Sequence, residues 1–151
     1  MKRAIISLHL VLVFTAMVFA LPGKQDENRF AVAGLNEQET VAFFASFKEA
    51  VAKGEKRAVA GMLSYPIRAT LKSGRRVRLP NSAAFIRAYD QIFYNEFKQL
   101  IANTEAKDLW AKSAGVATPR GEVWIAGIVK NPKDPDKYVI KIIALNGPIR
   151  S

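Results

Sequence analysis

The chain predicts an α+β fold, a curved antiparallel sheet with helices laid across one face, and two observations carry that reading. Residues 121–145 read GEVWIAGIVK, NPKDPDK, YVIKIIAL. These are two β-branched and aromatic runs around a Pro, Asp and Asn loop, the pattern of a long antiparallel hairpin. A hairpin alone is unstable in water, and residues 36–103 supply what it lacks. They hold three stretches with apolar residues at helical spacing and a shorter hairpin of their own.

The N-terminal residues are read apart from the fold. Met1-Lys2-Arg3 is a cationic start, Ala4 to Ala20 carries no charge, and Val18-Phe19-Ala20 is a small-x-small boundary. Together they predict a cleaved signal peptide over residues 1–20 and an exported, periplasmic or secreted, protein. The competing reading is an uncleaved anchor, for which the run is short; after cleavage no membrane span is expected. Cleavage also removes Lys2 and Arg3, lowering the formal charge from +10 to +8, and His9, the only histidine. With no Cys either, the remaining chain excludes His/Cys zinc and haem sites, Ser-His-Asp triads and disulfides. No cofactor and no metal site is expected, and stability must come from core packing. Half of the 151 residues are hydrophobic, enough for one core.

Residues 21–35, mixed in Gly, Pro and charge, read as a flexible lead-in, followed by a single domain over 36–147. Asn36 and Glu39 form a near capping box that opens the first helix. Phe44, Phe47 and Val51 make its inward stripe, widened by Val41 and Phe43, and Lys53-Gly54 stops it. Three phenylalanines on one helix could line a pocket, but core packing is the plainer account. A short second helix over 55–63 turns Val59, Met62 and Leu63 inward and ends at Tyr65-Pro66.

Ile67, Ala69 and Leu71 alternate with Arg68, Thr70 and Lys72. Beyond a turn at Ser73-Gly74, Val77 and Leu79 alternate with Arg76 and Arg78. This second hairpin has an apolar face and a basic face. Arg68, Lys72, Arg75, Arg76 and Arg78 are the candidate anion-binding residues, for nucleic acid, lipid headgroups or an acidic partner. The plainer account is a solvated edge kept from aggregating by charge. No aromatic residues interleave with these arginines, so no specific nucleic acid is expected. Asn81 or Ser82 caps a helical stretch to Asn103 with Ile86, Tyr89, Phe93, Phe97, Leu100 and Ile101 inward and Phe85 and Ile92 at its margins. A bend within Tyr89–Phe93 would divide it in two. Extended segments follow at 108–110 and 115–117, then a turn at Thr118-Pro119-Arg120-Gly121.

This order of helix, helix, short hairpin, helix and three or four antiparallel strands resembles the nuclear transport factor 2-like superfamily, also called cystatin-like. Tyr65-Pro66, Phe85…Tyr89-Asp90…Ile92-Phe93 and Gly115-Val116…Gly121-Glu122-Val123-Trp124-Ile125 are similar to a group of exported bacterial proteins with that fold. The resemblance covers about Glu37 to Leu145. It implies a sheet curled around the helices as a cone with one open end, and a homodimer through the outer sheet face. It also implies a choice of functions, since the superfamily holds ketosteroid isomerase, polyketide cyclases and scytalone dehydratase beside binding modules without catalysis.

Tyr65, Tyr89, Trp110, Glu122, Trp124 and Tyr138 are the candidate ligand-binding residues of such a cone. Glu122 is the one weak catalytic candidate. Two residues from Trp124 on a strand, it would share that indole's face, and a Tyr65 or Tyr138 hydroxyl would have to complete a proton-transfer site. The plainer expectation leaves Glu122 solvated at the open strand end and that constellation unassembled. Asn131, Asp134 and Asp136 suggest turn chemistry rather than a calcium site, which wants six or more oxygens. Three functions follow: an exported non-catalytic module binding an unknown small apolar ligand or protein partner; a cofactor-free lyase or isomerase working through Tyr and carboxylate groups; or a polyanion binder using the Arg68–Arg78 hairpin. An open, polar-lined cone favours the enzyme, and a filled one favours a module working through its outer surface.

Overall fold

The computed structural model describes residues 27–135 and 137–148; the expected signal segment lies outside them. The order is α1 (Glu37–Ala52), α2 (Lys56–Gly61), β1 (Leu63–Thr70), β2 (Arg76–Leu79), α3 (Ser82–Ile92), α4 (Asn95–Asn103), β3 (Trp110–Lys112), β4 (Gly115–Ala117), β5 (Val123–Val129) and β6 (Tyr138–Leu145). Among the described residues the fold is α+β, with four α-helices and one curved, open, six-stranded sheet ordered β2-β1-β6-β5-β4-β3. Among the described residues no helix is long and apolar enough to cross a membrane.

The helix starts follow capping chemistry. Asn36 accepts a hydrogen bond from the Glu39 amide, and Glu37 and Glu39 sit in the first turn of α1, where carboxylates favour the positive end of the helix. Asn81 caps α3 in the same way through the Ala84 amide. The expected bend in the long helical stretch is a full break. Phe93 leaves helical geometry at ψ 62, and α4 restarts two residues later.

The sheet is mixed, which corrects the antiparallel expectation. β1–β2, β3–β4, β4–β5 and β5–β6 pair antiparallel, but β1 and β6 run parallel. The antiparallel pairs join strands consecutive in the chain, where a short loop dictates direction. β1 and β6 pair directly but lie far apart in the chain, so no local turn constrains their direction. Their register slips between Leu63 and Arg68, where Pro66 has no N–H to donate. β4 approaches β5 closely at Gly115: a Cβ there would lie 2.3 Å from the Ile125 carbonyl oxygen, and φ is +137°, so only glycine fits.

Residues 28–35 are not the flexible lead-in their polar composition suggests. Phe30 and Leu35 are 0% and 1% exposed, on either side of a 3-10 turn at Ala31–Ala33. The Asn28 side chain bonds both the Phe30 amide and the Leu35 carbonyl. Arg29 pairs with Glu37 at 2.6 Å and reaches the Lys107 and Ala106 carbonyls. Burial of two apolar side chains outweighs the surrounding polarity; Leu35 and the Tyr138 ring fill the space left by Gly127.

Between helices and sheet the interior is filled by rings. Phe44, Phe47, Phe85, Tyr89, Phe93 and Phe97 are all at most 1% exposed. Phe93 is the hub, 4.9 Å from Tyr89, 5.5 Å from Phe97 in a stacked pair, 6.1 Å from Phe47 and 6.2 Å from Phe85. The space a cone would offer a ligand is here the core itself.

Candidate functional site

Strand alternation gives the two sheet faces opposite characters. Ile67, Ala69, Leu79, Val123 and Ile125 are buried toward the helices, while Arg68, Thr70, Arg76, Arg78 and Trp124 alternate with them toward the open face. In register, Arg68 lies directly opposite Arg78, and Thr70 opposite Arg76. Like charges directly across a strand pair repel. Among the described residues no carboxylate forms an ion pair with Arg68, Arg76, Arg78 or Lys112.

These arginines line an open groove of about 880 Å³. Arg68, Arg76 and Arg78 stand on β1 and β2, toward one edge of the sheet. Lys112, on β3, and Arg120, between β4 and β5, stand toward the other edge. The strands between them contribute Trp124, Ile143 and Ala144, and Tyr94 and Asn146 are also among the lining residues. Among the described residues no Asp or Glu lines it. Lys112 Nζ rests 4.7 Å over the Trp124 ring and 5.9 Å from the Trp110 ring, and the two indoles meet edge to face at 5.4 Å. The aromatic pair thus holds an ammonium above the groove by cation–π attraction.

Arg120 is positioned by a tightly bonded corner. The Thr118 hydroxyl donates to Glu122 Oε2 at 2.7 Å and accepts from the Val123 amide at 3.0 Å, and the Arg120 amide donates to the same carboxylate oxygen at 3.1 Å. Arg120 Nε lies 3.6 Å from Glu122 Oε1. The Gly121 amide donates to the Thr118 carbonyl at 2.8 Å, Trp110 Nε1 donates to it at 2.9 Å, and the Asn146 side chain donates to the Gly121 carbonyl at 2.7 Å. Gly121 turns at φ +77°, a left-handed conformation that suits glycine. Glu122 is 2% exposed, which corrects the expectation of a solvated carboxylate. It precedes β5 instead of alternating within it, so it is drawn under the turn while Trp124 faces the groove.

The other candidates serve the framework. The Tyr65 hydroxyl donates to the Ala60 carbonyl, and burial pushes its pKa up to about 12. Tyr89 sits in the ring cluster with its hydroxyl unpartnered; burial, helped by the neighbouring Asp90 charge, pushes it up to about 12 as well. The Tyr138 hydroxyl accepts from the Asn36 amide and donates to Glu39, tying β6 to the start of α1. Neither Tyr65 nor Tyr138 meets Glu122. Trp110 buttresses the corner, and Lys72 and Arg75 lie outside the groove lining. At the far hairpin, Asn131 accepts from the Lys133 amide as in an Asx turn; Asp136 lies outside the described residues.

Of the sequence-predicted residues, Arg68, Arg76, Arg78 and Trp124 therefore meet in one place. Lys112, Arg120 and Tyr94 join them unanticipated. Alternation within Trp110-Ala111-Lys112, which puts Trp110 and Lys112 on one face, was the available signal for the first. Four planar guanidiniums present donor forks that match carboxylate or phosphate oxygens two at a time. Comparison of the chain with protein-family models, curated proteins and solved structures finds no match in any of the three.

Proposed function

We propose that this chain is a non-catalytic binding module whose working surface is the basic groove on the open sheet face, and that its ligand carries several oxyanion groups. One observation carries the reading: five cationic side chains from separate parts of the sheet line one groove with no acidic residue among its described lining, and only Arg120 of the five has a carboxylate partner, Glu122 beneath it. Holding like charges together lowers stability unless an anion neutralises them, so a groove of this kind favours an anionic occupant. A second copy of the chain would set arginine against arginine, which weighs against a homodimer across this face.

The nuclear transport factor 2-like reading is supported by the order of α1, α2, the β1–β2 hairpin, α3 and α4, then four strands. Within it, the ring-filled interior favours a module acting through its outside over one that encloses an apolar ligand or turns over a substrate. Export remains part of the proposal, resting on the Lys-Arg start and uncharged run; mass spectrometry of the native protein should find a chain beginning near Leu21. The groove is tested by heparin chromatography of Arg68→Ser/Arg78→Ser. Elution at clearly lower salt than wild type is expected. Coincident elution of the two folded proteins would refute the groove.

A further inference from the structure

We infer that the oxyanion-bearing ligand is single-stranded nucleic acid, bound without sequence preference, its phosphates on the arginines and its bases over Trp124. This deepens the proposal above and rests on it.

The groove is open and its cations stand apart, so a compact anion would be wrapped poorly and would meet few of them at once. Arg76 and Arg78, two residues apart on one strand, are separated by about 7 Å along it, and each can take a separate phosphate. Arg120 and Lys112, on the far side of Trp124, suit phosphates further along a chain that crosses the sheet. Between the two cationic groups lie an indole and two aliphatic side chains, Ile143 and Ala144, a surface that accepts the flat, apolar faces of bases.

The alternatives fit less well. An extended acidic peptide would lay its backbone N–H and C=O groups on this apolar strip, which offers side chains rather than a free strand edge, so those groups would lose water without gaining partners. A duplex keeps its bases stacked inside and would leave Trp124 without a partner. In the free protein Lys112 covers the Trp124 ring. An exposed cation–π contact is weaker than a base–aromatic stack, so an incoming base displaces the ammonium, and the freed charge can pair with a neighbouring phosphate. The absence of interleaved aromatics within the β1–β2 hairpin is thus made good by β5.

The test measures anisotropy of a labelled oligothymidylate, with the matching duplex, polyglutamate and heparin as competitors, and follows tryptophan fluorescence. Oligothymidylate should bind more tightly than duplex or polyglutamate and should quench the tryptophans. Trp124→Leu should weaken oligothymidylate about tenfold, and should weaken heparin, which has no bases to stack, by clearly less. Arg68→Ser/Arg78→Ser should flatten the log–log salt slope by about 0.7 for each phosphate no longer neutralised. Should Trp124→Leu fail to fold, Lys112→Ser replaces it: clearing the ring should preserve quenching and lower the salt slope. Polyglutamate or duplex binding as well as the single strand, or Trp124→Leu leaving oligothymidylate affinity unchanged, would overturn the nucleic-acid inference while the anion groove stands. If no polyanion responds to the arginine substitutions, both fall.

Discussion

Glu122→Ala removes the acceptor at the centre of the corner that carries Arg120. The site is 2% exposed and Thr118 is 0% exposed, so water cannot readily replace the lost oxygen. Two hydrogen bonds disappear, from the Thr118 hydroxyl at 2.7 Å and the Arg120 amide at 3.1 Å. A bond to a charged group contributes about 1.5–3 kcal/mol, and leaving a buried donor unpaired costs about 1–3 kcal/mol. The Arg120 end lies nearer solvent and can recover water, so the Thr118 end should dominate, giving a loss of about 3 kcal/mol. That is a large part of the roughly 5–15 kcal/mol typical of a whole domain. Glu122→Gln retains one acceptor oxygen and should lose about half as much. Urea denaturation measures both: the midpoint should fall in the order wild type, Gln, Ala, at unchanged slope. If Glu122→Ala unfolds within about 0.5 kcal/mol of wild type, the range of ordinary surface substitutions, the carboxylate is solvated and the corner described here is wrong.

Phe93→Ala removes the ring that touches four other aromatic residues. It should cost about 3–5 kcal/mol, read by calorimetry as a melting temperature lower by more than about 10 °C; a shift of only a degree or two would contradict the ring-filled interior. Arg78→Ser should leave the fold as stable or raise its stability by a few tenths of a kcal/mol, since it relieves the repulsion opposite Arg68, and loss of more than about 1 kcal/mol in denaturation would show the pair to be structural. Tyr65 and Tyr89 have pKa values raised from 10.0 to about 12 by burial, so the folded state holds their protons more tightly than the unfolded one. Their contribution is complete below about pH 10 and is lost as pH rises toward 12. An absorbance titration should find two late-ionising tyrosines whose ionisation coincides with alkaline unfolding, and ionisation of all tyrosines near pH 10 with the fold intact would refute it.

What the sequence determined by itself was whatever depends on near neighbours in the chain. The Asn36 and Asn81 caps, the inward Phe44 and Phe47, the β1–β2 turn, the Gly115–Ala117 strand and the long β5–β6 hairpin are all set by periodicity of 3.6 or 2 and by side chains reaching their own backbone. The basic face of the hairpin was legible for the same reason. Tertiary structure decided the rest. Phe30 and Leu35 lie in a polar stretch whose burial depends on distant residues, including Gly127 with its missing side chain. The parallel β1–β6 seam joins strands that no shared turn orients. Glu122 stands one residue before β5, where the Thr118–Gly121 turn and not strand alternation aims the side chain, so a rule of period two misplaced it. The groove follows the same logic, for Arg68, Arg78, Lys112, Arg120 and Trp124 become neighbours only when six strands close into one order. Local periodicity states which face a side chain takes; it does not state which other strand will share that face, because pairing between distant strands is chosen by the packing of the whole core.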